Sequence, residues 1–499
     1  MDSRASVEIT PQSCIVRIGD GDPQMLHSWT CRLVAASSAI LFLGGPACAA
    51  GYFIDQSQSI PGLGRADAGN VAAASDPSTV FSNPAGITEL WRGADPDDIR
   101  RASSGAVLVI PTNKLKNKRL IGYPKGYGES EATVPQIIPR ITPFGVELDV
   151  VGTDVPIDGP NQSNPGDPTP VGNAYMVQRL PNTPWSFGLG LTAPFGLGGE
   201  FDDNWFGRYD ATEVRLVTVN FSPVVAYKLS DRISIGGGLD VQYADAKLIS
   251  AVPNPDPLTG TISANTDGRF RVEGDDWSVG YNVGILYKVT PTLRAGVHYR
   301  SGIDHTLDGK ATLKGLTGFL STANFTSGAS SELNLPDILS AGAVFDISYR
   351  WALFGDFTWY NWSVAEETRI KFDNGALPDA VRPAHFRDTY TVALGVERYQ
   401  NENWTFRTGI KFDRTPTNDR FRDTTFADDD RVWFAVGASY KISDSLTADF
   451  AFSHLFVKDT SVDIERSFFD GTPFATTTRT KADIESYVDN IGLNVRYSF

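Results

Sequence analysis

The sequence has few cysteines, and their positions are more informative than their number. All three, Cys14, Cys31 and Cys48, lie before residue 50 of the 499-residue chain. The long remainder therefore has no thiol that could form a disulfide. A chain of this kind suits an oxidising compartment outside the cytoplasm, because it cannot form wrong disulfides there.

The chain also lacks a long apolar run and an excess of positive charge. Its longest nearly uncharged apolar stretch, Leu33 to Gly45, is shorter than the roughly 20 residues that a membrane-spanning helix needs. The formal net charge is -15 at pH 7, so there is no positive field to attract a phosphate backbone. These absences exclude a helical inner-membrane protein, and we expect no nucleic-acid partner.

The N-terminus contains a secretory leader. From Met25 onward, a short basic region precedes an apolar core, Leu33–Leu43, and small residues that end in Ala47-Cys48-Ala49. This is the pattern of a signal peptide with an A-x-A cleavage site. We therefore assign residues 1–49 to a leader and signal peptide, and Met25 is a candidate for the true start.

Most of the chain after residue 104 alternates apolar and polar residues with a period of two. In the last run, the apolar members are Ile491, Leu493, Val495, Tyr497 and Phe499. This alternation predicts strands with one apolar and one polar face. We count 14 strands between residues 104 and 499, the least regular being the second, near Tyr175, and the eighth, near Leu339.

The connections between these strands alternate in length. The short ones are Leu229–Asp231, Thr290–Thr292, Gln400–Asn403 and Ser443–Ser445. The long polar ones lie near 112–173, 250–271, 313–330, 373–385, 414–430 and 458–483. Short turns on one side and long loops on the other are typical of a transmembrane barrel rather than of a sandwich. We therefore predict an all-β fold, a 14-stranded antiparallel transmembrane β-barrel in the outer membrane of a Gram-negative cell.

Tyrosine and tryptophan near the strand ends fit the interfacial girdles of such a barrel. The residues that we assign to the girdles are Tyr227, Tyr287, Tyr299, Trp359, Trp362, Trp404, Trp433 and Tyr440.

Residues 50–103 do not follow the alternating pattern. They are rich in Gly, Ala, Ser and Asp, with short helices predicted near 69–74 and 84–90. Irregular backbone cannot lie in lipid, because its polar groups would be unpaired. The segment therefore either hangs in the periplasm or fills the lumen, which in a barrel of this width needs filling if it is not to leak. We predict a hatch over 50–103 and a barrel over 104–499.

Several blocks together resemble one known family. They are Ala50–Tyr52, Gly62–Ala66, Asn83–Ala85, Phe195–Leu197, Val241–Lys247, Tyr299–Ser301, Leu333–Pro336 and Asn403–Ile410. In order and spacing they resemble the FadL-type long-chain fatty-acid transporters of the outer membrane, a family that also includes uptake channels for aromatic hydrocarbons. The resemblance covers residues 50–499 and implies a 14-stranded barrel with an N-terminal hatch.

The resemblance implies a lateral window in the wall at the end of the third strand. There Thr192–Gly199 contains a proline, which has no N–H to donate, and three glycines, which weaken strand pairing. We take Pro194, Phe195 and Gly196 as the window. The alternative is an ordinary loop after a strand.

The hatch candidates are Tyr52, Phe53, Asn83, Pro84 and Ala85. Taken alone, Asn83-Pro84-Ala85 is a turn followed by a helix start, because Asn caps helices and Pro suits the first helical position. The resemblance implies that this motif lies in the hatch beside the window. Its amide would then bridge the hatch to backbone groups of the wall that lack a strand partner.

Two outer loops carry apolar residues, which are uncommon on exposed loops without a use. The candidates are Val252 and Leu258 before the sixth strand, and Leu316, Phe319, Leu320 and Phe325 after the seventh. The resemblance implies that these loops form a first, weaker hydrophobic groove. The alternative is that the residues only pack the loops together.

The resemblance also implies two basic residues that bind a ligand carboxylate. Counting back from the block at 386–388 puts one of them at Arg382, whereas counting forward from Tyr243 puts the other at Ser250. A serine in place of a base weakens the attraction for an anion and favours a neutral hydrocarbon. The alternative for Arg382 is an exposed loop arginine before a strand.

No motif predicts an enzyme. Gly188–Ala193 satisfies G-x-G-x-x-A, but it lies within an alternating strand and no helix follows. A hydrolase would need a serine facing His298 or His454, and the histidines of the mature chain have no metal-binding spacing. We therefore expect no catalytic residues, no metal and no cofactor.

Taken together, the sequence predicts a passive uptake channel for hydrophobic molecules. It would act by ligand capture, hatch rearrangement and lateral exit into the membrane. We expect a monomer whose partners are a long-chain fatty acid or other hydrophobic ligand, the surrounding lipid and lipopolysaccharide, and the barrel-assembly machinery, which would contact Phe499. A general porin, an outer-membrane lipid hydrolase and a purely structural barrel remain alternatives, and the choice among fatty acid, alkane and aromatic stays open.

Overall fold

The computed structural model describes residues 53–54, 57–91, 98–118, 130–142, 145–256, 258–375 and 377–499. The predicted leader, residues 1–49, and the hatch candidate Tyr52 lie outside these ranges.

Within the described ranges the backbone forms 23 strands, all joined in one antiparallel sheet. The strands are β1 (Arg100–Asn117), β2 (Glu131–Thr142), β3 (Gly145–Pro156), β4 (Gln162–Ser163), β5 (Thr169–Arg179), β6 (Trp185–Thr192), β7 (Gly196–Glu200), β8 (Glu213–Lys228), β9 (Ile233–Val252), β10 (Gly268–Lys288), β11 (Leu293–Arg300), β12 (Ile303–Lys314), β13 (Phe325–Leu335), β14 (Ile338–Ser348), β15 (Trp351–Tyr360), β16 (Glu367–Phe372), β17 (Ala380–Pro383), β18 (Thr389–Tyr399), β19 (Trp404–Asp413), β20 (Arg431–Lys441), β21 (Leu446–Val457), β22 (Thr460–Phe468) and β23 (Thr476–Ser498).

Fourteen of these strands form a closed wall. They are β1, β5, β6, β8, β9, β10, β11, β14, β15, β18, β19, β20, β21 and β23. The last strand pairs with the first, from Arg101 opposite Ser498 to Asn117 opposite Ala482, so the sheet has no free edge there. The predicted 14-stranded barrel is confirmed, including the second strand near Tyr175 and the eighth near Leu339.

The wall strands have an apolar outer face and a more polar inner face. In β10, for example, Val279 and Ile285 are exposed, whereas Asn282 between them is fully buried. Apolar residues on the outside face lipid and polar ones face the lumen, as in outer-membrane barrels. None of the helices in the described part of the chain is long and apolar enough to span a bilayer.

Pairs of aromatic residues lie next to the short turns, as predicted for a girdle. Trp185 packs on Tyr227 and Trp404 on Tyr440, with ring centroids 4.7 Å apart in each pair. Trp362 and Trp433, however, are buried inside the barrel, at 2% and 1% exposure. Their assignment to the girdle was wrong.

Several predicted loops contain strands. The segment 112–173 holds the end of β1, the β2–β3 hairpin, β4 and the start of β5, the segment 373–385 holds β17, and the segment 458–483 holds β22 and the start of β23. In β22 the apolar residues Val462 and Ile464 are buried and the residues that alternate with them are polar and exposed. The exposed face is therefore polar, whereas a spanning strand has an apolar exposed face. The barrel also begins at Arg100 rather than at residue 104, because the backbone of Arg100 exchanges two hydrogen bonds with Phe499.

The residues before the barrel, 53–54 and 57–91, are called the N-terminal segment below. It contains three single-turn helices, α1 (Ile60–Leu63), α2 (Asn70–Ala73) and α3 (Thr79–Ser82), and a 3₁₀ helix, Pro84–Glu89. Both short helices expected from the sequence, near 69–74 and 84–90, are therefore present. Asn83 caps the 3₁₀ helix, since its Oδ1 accepts from the Ala85 N–H at 3.1 Å and proline follows at the first position.

The N-terminal segment packs against the inward face of the wall. Lys411 of β19 donates to Asp67 at 2.8 Å, and Arg65 forms a buried ion pair with Glu397 of β18. The approach is close: a Cβ added at Gly409 would lie 1.9 Å from the Arg65 carbonyl oxygen. Glycine at this wall position therefore lets the backbone of the segment lie directly on the strand.

Candidate functional site

A mainly apolar pocket lies among the outer strands and loops. Its apolar lining includes Leu197, Val214, Leu216, Leu248, Leu307, Leu333, Ile370, Phe386, Phe421 and Phe426. These side chains come from strands that are far apart in sequence and from the connections between β17 and β18 and between β19 and β20. A concave, mainly apolar pocket suits a hydrophobic small molecule. This pocket is called the cavity below.

Arg382, on β17, lines this cavity, as expected of a head-group residue. Its guanidinium is already engaged, however: Nη2 donates to the Asp210 carbonyl oxygen at 2.9 Å, and Nη1 lies 3.6 Å from the Asp210 carboxylate. Ser250, the other head-group candidate, is buried on β9 and is not among the residues that line the cavity. The two candidates are therefore not brought together there.

Asp210 connects four outer elements around this arginine. Its carboxylate accepts two hydrogen bonds from Arg466 of β22, at 2.6 and 2.9 Å, and one from the Thr424 N–H at 3.0 Å. Burial alone would raise the pKa of Asp210, but Arg466 and Arg382 lower it from 3.8 to about 2. Asp210 is thus an anion with its hydrogen bonds made, and no sequence motif marks it.

The third wall strand is interrupted where the window was predicted. β6 ends at Thr192 and β7 resumes at Gly196, and both pair with β8. On the other side, β5 pairs with β6 only from Ala174 onward; within the described ranges its first five residues, 169–173, pair with β1 alone. The wall therefore has a gap between β5 and β7.

The start of the N-terminal segment covers this gap. Ile54 donates its N–H to the Pro194 carbonyl oxygen at 2.7 Å, and Phe53 forms an isolated antiparallel bridge with Phe195. From the β5 side, the Asn173 amide donates to the Ser57 carbonyl oxygen at 2.5 Å. At the gap, hydrogen-bonding groups of the wall thus pair with the N-terminal segment instead of with a neighbouring strand.

Aromatic rings connect the cavity to the gap. Phe386, in the cavity lining, contacts Trp362 with centroids 6.0 Å apart, and Trp362 contacts Phe195 at 6.4 Å. Phe53 then packs on Phe195 at 5.3 Å and on Tyr360 at 5.5 Å. Apolar rings therefore lie between the two spaces. No sequence pattern indicates this role for Trp362, which lies just after β15.

Asn83 ties the N-terminal segment to the wall, but at a different place from the one expected. Its Nδ2 donates to the carbonyl oxygens of Val71 at 2.8 Å and Ile285 at 3.1 Å. Ile285 belongs to β10 and pairs on both sides, with Ile235 and Val297, so it does not lack a strand partner. The expectation of an unpaired wall group at this contact was wrong. The 3₁₀ helix after Asn83 does contact β6 and β8, which border the gap.

The outer-loop candidates form mostly a closed cluster rather than an open groove. Val252, Leu316 and Leu320 are buried together, at 3 to 7% exposure, with Phe325 against them. Leu258 is 75% exposed and is not in this cluster, and Phe319 is 68% exposed, with its ring stacked on Phe474. Four of the six residues therefore pack the loops together, and Phe319 is the one that presents an apolar surface next to them.

The histidines considered for a hydrolase have other surroundings. In the described part of the chain, neither His298 nor His454 has a hydrogen bond with a serine, and His454 contacts Asp489 at 2.7 Å. Among these residues there is also no group of three or more His, Cys, Asp or Glu arranged to hold a metal ion.

A family model described as outer membrane protein transport protein (OMPP1/FadL/TodX) matches residues 40–499. The chain belongs to this family. Its members are outer-membrane transport proteins rather than enzymes. The barrel described above is the kind of fold found in outer-membrane proteins.

Curated relatives of the family span nearly the whole chain. The long-chain fatty acid transport protein of Escherichia coli O6:H1 is 28% identical over 446 residues, which cover 84% of this chain and 90% of that protein. Outer membrane protein P1 of Haemophilus influenzae is 25% identical over 495 residues, covering 93% and 98% of the two chains.

Solved structures of the family share the fold. A Pseudomonas aeruginosa FadL homologue superposes with a TM-score of 0.72 at 21% identity, covering 91% of this chain and all of that one. The toluene transporter TodX of P. putida superposes with a TM-score of 0.59 at 16% identity, covering 88% of this chain and 99% of that one.

Proposed function

We propose that this protein takes up hydrophobic molecules through the wall of its barrel. A ligand enters from the outer loops, occupies the apolar cavity, passes the aromatic rings and leaves between β5 and β7 into the membrane. The observation that carries the proposal is the connection of an apolar cavity to a gap in the wall that the N-terminal segment covers. Relatives named as long-chain fatty acid and toluene transporters support the ligand class.

The lining of the cavity supports passive transport. A long apolar molecule gains about 0.8 kcal/mol for each CH₂ that leaves water, so a lumen filled with water would not help it cross a polar cell surface. Phe386 and Phe426 in the lining offer an apolar path instead. Exposed Phe319 is our candidate for first contact with the ligand, in place of the broader groove.

The N-terminal segment is our candidate for the hatch. Its backbone is held over the gap by one bridge, between Phe53 and Phe195, and by one hydrogen bond, from Ile54 to Pro194. Side-chain hydrogen bonds from Asn173 and Tyr175 to the carbonyl oxygens of Ser57 and Gln58 add to this contact. The adjoining β6–β8 ladder pairs eight residues, so the hatch has fewer backbone contacts with the gap than these two wall strands have with each other. Asn83, Pro84 and Ala85 hold the other end of the segment in position.

Two further proposals concern the assembly of the barrel and its oligomeric state. Phe499 packs on Tyr497, with centroids 5.4 Å apart, and we propose that this exposed C-terminal aromatic end is what the barrel-assembly machinery recognises. We also propose that the protein acts as a monomer, because cavity, hatch and gap belong to one barrel.

A disulfide between residues 53 and 195 tests the hatch and the exit together. The two residues are bridge partners, and the chain has no cysteine after Cys48, so Phe53→Cys with Phe195→Cys can form one defined crosslink. We expect the oxidised double variant to lose uptake of a labelled hydrophobic substrate in cells, and reduction to restore it.

The matched control is a crosslink that does not join hatch and wall. Asp256 and Thr261 are also bridge partners, within one outer loop. Oxidised Asp256→Cys with Thr261→Cys should keep uptake at the level of the unmodified protein, and the single variants Phe53→Cys and Phe195→Cys report the effect of losing each ring. Undiminished uptake by the oxidised 53–195 pair would mean that the ligand leaves elsewhere.

A further inference from the structure

The charged side chains that line the apolar cavity are all paired. They are Arg215, Lys247, Glu273, Glu332, Arg382, Arg422 and Asp423. The partners are Asp245 for Arg215, Glu213 for Lys247, Arg271 for Glu273, Lys371 for Glu332, Asp210 for Arg382, Asp419 and Asp429 for Arg422, and Arg466 for Asp423. Each cation of this lining therefore already has an anionic partner within the protein.

Among these cations, Arg382 is the one that the sequence predicted to bind a head group, and its anionic partner is Asp210. Asp210, its partner, is fully buried and is held on its other side by Arg466 and by Thr424. A ligand carboxylate that displaced Asp210 from Arg382 would bring a second negative charge next to a buried anion that cannot turn away to solvent. Two carboxylates in such a site repel each other strongly.

We propose that the cavity selects neutral hydrophobic molecules over carboxylate anions, and that Asp210 determines this selectivity by neutralising Arg382. This inference rests on the proposed function. It assigns a specificity role to Asp210 and names the substrate class as uncharged: hydrocarbons, alcohols or esters.

The side chain of Arg382 also has one hydrogen-bond donor that a neutral, oxygen-containing ligand could accept from. Arg382 Nη1 is buried and has no hydrogen-bond partner in the described part of the chain. It can donate to a hydroxyl or carbonyl oxygen without any change in the ion pair. Burying a carboxylate without its own counter-ion, in contrast, carries a large desolvation cost.

The test compares two ligands that have the same hydrocarbon chain, one charged and one neutral. cis-Parinaric acid and its methyl ester share the same fluorescent hydrocarbon and differ only at the carboxyl group. Fluorescence titration of the detergent-purified protein at pH 8 should give an ester affinity at least about tenfold higher than that of the acid. Asp210→Asn should reduce this ratio to about one or below by freeing Arg382. Asp463→Asn removes an exposed carboxylate that pairs with Arg479 and does not line the cavity, so the ratio should stay as in the parent.

A second variant keeps the inference testable if Asp210→Asn does not fold. Arg382→Met leaves the contacts of Asp210 with Arg466 and Thr424 in place. It should change the acid affinity by less than about threefold; a selective loss of tenfold or more would identify Arg382 as a carboxylate site and overturn the inference. If the parent protein bound the acid as tightly as the ester or more tightly, the selectivity inference would also be overturned, but the proposed uptake function would not be affected. Failure of both probes to bind would instead count against the proposed function.

Discussion

The rings of Phe53 and Phe195 lie 5.3 Å apart across the gap in the third strand, and their backbones form an antiparallel bridge. A residue that precedes the barrel thus substitutes for the missing neighbour of a wall strand. This substitution involves a single backbone bridge, whereas a neighbouring strand would form a continuous ladder.

Replacing Gly196 with valine should loosen the hatch. A Cβ at this position would lie 2.7 Å from Ile54 Cδ1, so Ile54 must move. We expect a higher single-channel conductance in planar bilayers, because a displaced Ile54 uncovers the gap. Gly355→Ala, in a wall strand where the added Cβ has only ordinary contacts at 3.5 Å, should keep the parent conductance. Equal conductance of Gly196→Val and parent would indicate that the hatch adjusts without opening.

Trp362→Ala should open the passage between cavity and gap. Trp362 is 2% exposed and contacts both Phe386 and Phe195. Its removal should cost about 3 to 5 kcal/mol of stability, as for other buried large-to-small changes, and should raise the initial rate of ligand release from the cavity in stopped-flow fluorescence. Lipid-facing Trp404, 39% exposed, offers the control Trp404→Ala, which should leave that rate unaltered. A slower release in Trp362→Ala would contradict the proposed path.

Two substitutions at Asn83 separate its two contacts. Asn83→Asp keeps the Oδ1 that caps the 3₁₀ helix but loses the Nδ2 that donates to Val71 and Ile285. Asn83→Ala loses both contacts but buries no charge. Asn83→Asp should therefore be the more destabilising change, because its fully buried carboxylate would face two carbonyl oxygens. Hydrogen exchange over residues 57–91 should be faster in both variants, with the wall strands unchanged. Exchange that accelerates equally in the wall would mean that Asn83 supports the barrel rather than the segment.

Asp428 should make the outer loops sensitive to pH. Burial raises the pKa of this carboxyl group from 3.8 to about 6, although Arg431 and the Thr415 hydroxyl oppose the change. The folded protein therefore holds a proton between about pH 4 and 6 that the unfolded chain has released, so stability falls as pH rises through this window. Asp428→Asn should remove that loss. The thermal midpoint of the variant minus that of the parent should increase from pH 4 to pH 7.5, and a constant difference would contradict the raised pKa.

The alternation of the spanning strands could be predicted because each strand faces lipid on one side. In β10, Val279 and Ile285 must be apolar for that reason, which sets the phase of the whole strand. The same alternation places Trp433 on the inward face, between exposed Val432 and Phe434. The phase of the alternation in β20 therefore already indicates that Trp433 faces inward and is not part of the girdle.

The cavity could not be predicted in the same way, because its contacts join residues that are far apart in sequence. Arg382 was singled out, but its partner Asp210 lies 172 residues earlier in a loop with no pattern. Strands that do not face lipid need no apolar outer face, and the exposed residues of β22 are polar. For that reason β22 and the outer part of β23 were predicted as loops. The window was predictable from Pro194 and Gly196, since the absence of an N–H and of a side chain is a local property.

The pairing of β1 with β23 has a consequence for how the protein is made. Arg101 lies opposite Ser498, so the two strands that close the barrel are the first and the last of the wall to leave the export machinery. Loop closure over such a separation is entropically costly and slow. Until it happens, both strands offer unpaired edges to any other chain in the periplasm. The two hydrogen bonds between Arg100 and Phe499 belong to the pairing that removes these edges.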